Sequence, residues 1–71
     1  MGQPEYKAAV IGLGSMGWGA AVSLLKAGIE TVGVDVRDEV LERIDAQGGK
    51  STKSPAEAAS GCDAVLVFVV N

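Results

Sequence analysis

Lys7-Ala8-Ala9-Val10-Ile11-Gly12-Leu13-Gly14-Ser15-Met16-Gly17 is the stretch that decides the fold of this chain. Its first five residues are nearly all apolar and are followed at once by glycines, the pattern of a parallel strand buried on both faces. From Ser15 to Ala27 the residues are small or good helix formers. Ala21, Leu24 and Leu25 share one face, and Gly28 stands just past the end as a stop signal. The glycines Gly12, Gly14 and Gly17 therefore join a strand to a helix.

Working outward, Thr31-Val32-Gly33-Val34-Asp35 is short and β-branched, a second buried strand that ends on an acid and completes a β-α-β unit. Asp38 to Gln47 places Val40, Leu41 and Ile44 at helical spacing, with acids in the first turn and Gly48-Gly49 as the stop. On its solvated face Glu39 and Arg43 are spaced for an i,i+4 pair. Lys50-Ser51-Thr52 has room for a brief strand. Ser54-Pro55-Ala56-Glu57 combines a cap residue, a proline at the first helical position and a glutamate three residues on, so a capping box should open a short helix to about Ser60. The unbroken run Ala64 to Val70 predicts a central strand, the best buried of the sheet. Strands alternating with helices in this way define an α/β chain with a Rossmann-like, doubly wound parallel sheet and right-handed crossovers. Such a last strand normally feeds a covering helix, so residues 1–71 are read as the N-terminal part of a dinucleotide-binding domain. The remainder and a substrate domain are expected beyond Asn71.

The joint between strand and helix carries the chemistry. Gly12 permits the tight turn, Gly14 removes the side chain that would block a pyrophosphate, and Gly17 lets the helix pack closely on the strand. Backbone N–H groups around Ser15 and Met16 sit at the helix N-terminus, where unpaired donors and the dipole favour an anion. Asp35 follows eighteen positions after Gly17, where an acid accepts hydrogen bonds from an adenosine ribose. An isolated hexamer of this pattern is as consistent with a mere turn. Strand, glycines, helix, second strand and terminal acid in that order select the binding reading. The rival phosphate loop fails: Gly49-Lys50-Ser51 lacks the required earlier glycine, the position being Ile44, and it follows no strand.

Ile11 to Gly17, with Ala20-Ala21, Leu24 and Ala27-Gly28, resembles the N-terminal signature of the β-hydroxyacid dehydrogenases, a family that includes 3-hydroxyisobutyrate dehydrogenase and tartronate semialdehyde reductase. The resemblance continues through Ser54-Pro55-Ala56-Glu57 and Cys62-Asp63-Ala64-Val65 and covers nearly the whole chain. Within the family, Gly12 to Ala21 and Val69-Val70-Asn71 are most similar to the L-threonate dehydrogenase branch. The resemblance implies an NAD(P)-dependent oxidoreductase that moves a hydride between a small hydroxy acid and a nicotinamide. A glycine-rich segment, a lysine and an asparagine handle the substrate, all beyond Asn71. No catalytic residue is then expected among these residues, and the chain alone should be inactive. The expected assembly is a homo-oligomer.

Two departures from the family pattern bear on the cofactor. NADP-using members often carry Asn-Arg-Thr after strand two, whereas this chain has Asp35-Val36-Arg37. An acid at the position of the extra phosphate favours NAD over NADP, while Arg37, one position late, leaves dual use open. Many members also end strand four on Leu-Pro, replaced here by Val69-Val70. The family's backbone lines the cofactor there, so the resemblance adds Val69 and Val70 to a cofactor-binding set of Gly12, Leu13, Gly14, Ser15, Met16, Gly17 and Asp35. The competing readings are a non-catalytic nucleotide-binding or regulatory module, and another Rossmann enzyme such as a 6-phosphogluconate dehydrogenase relative or a flavin protein. Asp35 without an arginine directly after it argues against the NADP-using one.

Composition narrows the partners. The chain has 71 residues, about half of an ordinary domain. Six Lys and Arg against nine Asp and Glu give a net charge of −3, which excludes the basic footprint of a nucleic-acid binder. At 48% hydrophobic and 21% charged, the chain is too apolar for disorder. Without histidine and with a single cysteine, Cys62, it forms neither the usual zinc sets nor an internal disulfide. Cys62 is expected as a small core residue. No apolar run nears the roughly 18 residues of a membrane span, so a cytoplasmic location is expected. Trp18, beside the glycine loop, is expected to pack against a further domain.

Overall fold

A computed structural model describes residues 6–68. Strand β1 (Lys7–Ile11) leads to helix α1 (Ser15–Lys26), then β2 (Glu30–Val34), α2 (Asp38–Ala46), β3 (Lys50–Thr52), α3 (Pro55–Ser60) and β4 (Ala64–Val67). The four strands form one sheet in the order β3-β2-β1-β4, all parallel. The Rossmann-like α/β class read from the sequence is therefore observed. So is the brief third strand, which pairs Val32–Val34 of β2 with Lys50–Thr52.

The alternation of β1 builds two cores. Val10 points to the side of α1 and α2, where it meets Leu13, Ala21, Val40, Leu41 and Ile44. Ala9 points the other way, to a smaller cluster with Val34 and Ala58 of α3, against which Ile11, Val32 and Cys62 pack. Burying side chains as completely as Ile44 and Val10 contributes about 1.5–3 kcal/mol each. Cys62, expected in the core, is only half-buried and packs against the edge of the second cluster.

One expectation is corrected. The best-buried strand is β1, with Ala8, Ala9 and Val10 at 0–1% exposure, whereas β4 leaves Val65 42% and Val67 59% exposed. The cause is position: β1 has a strand on either side and helices over both faces, while β4 is bonded, among the described residues, only to β1. Its apolar run promised burial that these residues do not themselves provide. Residues 69 and 70, assigned to this strand from the sequence, lie outside the described residues.

Two polar devices fix the ends. At the start of the sheet, the Lys7 N–H donates to the Asp63 carboxylate at 2.8 Å and the Asp63 N–H donates back to the Lys7 carbonyl at 2.8 Å. At α3, the Ser54 hydroxyl accepts from the Glu57 N–H at 3.2 Å, half of the anticipated capping box. The other half is relayed. The Ser54 N–H donates to Thr52 Oγ1 at 3.1 Å, and the Thr52 hydroxyl donates to Glu57 Oε1 at 3.2 Å.

Candidate functional site

The glycine loop stands at the C-terminal end of β1, where the strand order reverses between β2 and β4. In open α/β sheets this switch point leaves a crevice for ligands. A cleft of about 310 Å³ opens there, lined by Gly12 and Gly14 of the loop, Asp35 and Arg37 after β2, Pro55 of α3, and Phe68 after β4.

Gly12 continues the sheet before it turns, its N–H donating to the Val34 carbonyl at 2.9 Å. Its φ of +93° lies in the region that favours glycine, and a Cβ would overlap the Phe68 carbonyl oxygen. A Cβ on Gly17 would overlap the Gly12 carbonyl oxygen. Both glycines are thus required by close approach of backbone to backbone. Gly14 differs: at φ −73° and ψ −167° its backbone suits any residue.

Gly14 is the N-cap of α1, and no side chain caps that end; no acid lies in its first turn. The first bond of the helix runs from the Trp18 N–H to the Gly14 carbonyl at 2.7 Å. The N–H groups of Ser15 and Met16 belong to the turn that has no intrahelical partner, and both residues are exposed. The end of α1 therefore presents donors and the positive pole of a helix dipole beside the cleft.

Asp35 follows β2 directly, its side chain only 8% exposed. Oδ2 accepts from the Leu13 N–H at 3.0 Å, which ties the acid to the glycine loop. Arg37 supplies the rest: its N–H donates to Oδ1 at 3.0 Å, its Nε to Oδ1 at 2.9 Å and its Nη2 to Oδ2 at 3.1 Å. The Arg37 guanidinium, then the backbone N–H groups of Leu13 and Arg37, outweigh burial and hold the carboxyl far below the usual carboxylate range. Asp35 is accordingly ionised at neutral pH, and the Arg37 guanidinium is held more firmly protonated in return.

The structure brings Gly12, Leu13, Gly14, Ser15, Met16, Gly17 and Asp35 to one end of the sheet; Val69 and Val70 lie outside the described residues. Leu13 contributes differently from its neighbours. Its side chain is 3% exposed in the core, and its N–H is engaged by Asp35. Lys53, Pro55 and Phe68 also line the cleft and were not anticipated. The signal for Pro55 was its place at the start of a helix that follows β3; nothing local marks the other two. The i,i+4 pair anticipated for Arg43 gives way to another contact, because its guanidinium lies over the Trp18 ring, 4.7 Å from the centroid. Trp18 itself is partly buried against the core cluster of this chain.

Comparison with known proteins agrees with this fold. A family profile described as the NAD binding domain of 6-phosphogluconate dehydrogenase matches residues 7–71, and the chain belongs to that family of NAD-binding domains. Its sequence is 55% identical over 62 residues, 87% of the chain, to an L-threonate dehydrogenase of Cupriavidus necator. It is 46% identical over its whole length to an L-threonate dehydrogenase of Haemophilus influenzae. A crystal structure described as 3-hydroxyisobutyrate dehydrogenase from Salmonella typhimurium superposes on 93% of the chain with a TM-score of 0.87 and 39% identity. The chain spans 21% and 24% of the length of the two L-threonate dehydrogenases and 24% of the Salmonella chain. The resemblance to the hydroxyacid dehydrogenases read from the sequence is borne out. No helix among the described residues is long and apolar enough to cross a membrane.

Proposed function

We propose that residues 1–71 are the N-terminal, cofactor-binding part of an NAD-dependent oxidoreductase acting on a small hydroxy acid of the L-threonate kind. In this reading the uncapped start of α1, with the Ser15 and Met16 N–H groups, binds the pyrophosphate, and Gly14 leaves room for it. Asp35 binds the adenosine ribose, and its charge favours NAD over NADP. Leu13 positions Asp35. Val69 and Val70 join the site through the family resemblance. The bound nicotinamide would supply the hydride acceptor or donor, while this chain's residues bind and orient it. The residues that act on the hydroxy acid, and the contacts of a homo-oligomer, are assigned to other parts of the protein.

The observation that carries the reading is the bond from the Leu13 N–H to Asp35 Oδ2 at 3.0 Å. It holds the acid against the glycine loop, so Asp35 borders one cleft with Gly12 and Gly14, beside the start of α1. Calorimetric titration of NAD into the full chain and its Asp35→Ala variant tests it. Loss of a charge-assisted hydrogen bond predicts binding about ten- to a hundredfold weaker in the variant. Equal affinity in the two contradicts the assignment of Asp35.

A further inference from the structure

Both close-packed glycines of the loop converge on Phe68. A Cβ on Gly12 would overlap the Phe68 carbonyl oxygen, and a Cβ on Gly17 would stand 3.4 Å from Cδ2 of the Phe68 ring. One residue thus meets the first glycine with its backbone and the last with its side chain. Its own place is fixed from β1, because the Phe68 N–H donates to the Ile11 carbonyl at 2.8 Å.

The loop is held from two sides. Asp35, after β2, grips it through the Leu13 N–H. Phe68 follows β4, on the opposite side of β1, and also lines the cleft that Asp35 borders. Its side chain is partly buried against the core cluster that includes Val10, Leu13 and Ala21, where Trp18 and Leu25 of α1 pack as well. Within Gly12–Gly17 the one buried side chain is that of Leu13, while Ser15 and Met16 are exposed. The start of α1 therefore depends on its neighbours for its position, and the Phe68 ring is the neighbour against Gly17.

We propose that Phe68 is a positioning residue for the dinucleotide: its ring supports Gly17 so that the Ser15 and Met16 N–H groups face the cleft in a single arrangement. The proposal rests on the reading of the cleft as a dinucleotide site. Removal of the ring leaves a void beside Gly17, and the loop then samples arrangements in which its donors do not converge. Apparent affinity falls in proportion to the fraction of molecules that keep the competent arrangement.

The test is calorimetric titration of NAD into the full chain and its Phe68→Ala, Phe68→Leu and Leu25→Ala variants, with circular dichroism to fix the folded fraction of each. Leu25 packs on the same cluster from the last turn of α1, so its truncation removes core packing away from the loop. Per folded molecule, Phe68→Ala should bind NAD about tenfold weaker, the loss expected if about one molecule in ten keeps the competent loop. Phe68→Leu, which keeps an apolar side chain against Gly17, should recover most of that loss, and Leu25→Ala should bind as wild type does. Equal affinity of wild type and Phe68→Ala, or an equal loss in Leu25→Ala, overturns the positioning role while leaving the dinucleotide reading in place. Should Phe68→Ala not fold, Phe68→Val carries the same comparison, and wild-type affinity there overturns the proposal. Absence of NAD binding by the wild-type chain overturns the dinucleotide reading and this proposal with it.

Discussion

The N-termini of α1 and α3 solve the same problem in opposite ways. Each presents N–H groups that no preceding turn can satisfy. At α3 the chain supplies its own answer: the Ser54 hydroxyl takes the Glu57 N–H, and Thr52 links the Ser54 N–H to the Glu57 carboxylate. At α1 the cap position is Gly14, which has no side chain to offer, and the first turn carries no acid. Yet the glycine at that position is not required by backbone conformation. A helix end closed by the chain serves stability; the one left without a cap beside a cleft, next to an ionised acid held in place by Leu13, is the end we propose binds the cofactor.

Breaking the packing beneath the uncapped end should have the largest effect. Gly17→Ala places a Cβ on the Gly12 carbonyl, and a clash with backbone should cost about 3 kcal/mol of stability. Urea denaturation measures that loss, and NAD binding should fall with it. A smaller effect sharpens the contrast from the other side. Ser54→Ala removes the cap of α3 and should cost about 1 kcal/mol with NAD affinity unchanged; a matching loss of NAD affinity would show that the two helix ends are not functionally separate.

Much of this was legible in the sequence because its causes are local. Glycines at Gly12 and Gly17, the serine and proline before α3, and the β-branched runs each act within a few residues, and the elements they predict are present. The rank of the strands was not legible. Ala64 to Val70 reads as core from its apolar run, but exposure depends on which strand lies beside it, and among the described residues β4 is bonded only to β1. Arg43 was misplaced for a similar reason: its contact, Trp18, is distant in sequence and lies on another helix. For the site, the glycine loop and Asp35 were legible from their spacing. The grip of Arg37 on Asp35 was not, since the pattern marks which residues stand at the end of β2 but not that they are bonded to one another.

The most direct test of the central claim is to close the α1 end with a carboxylate and measure NAD affinity and folding stability together. Gly14→Asp fits the observed backbone conformation and supplies both a cap and a negative charge where the pyrophosphate is proposed to sit. The account predicts NAD binding at least about a hundredfold weaker, by charge repulsion and lost donors, with stability unchanged or raised by about 0.3–1 kcal/mol. Unaltered NAD affinity in a variant that is folded and equally stable would contradict it.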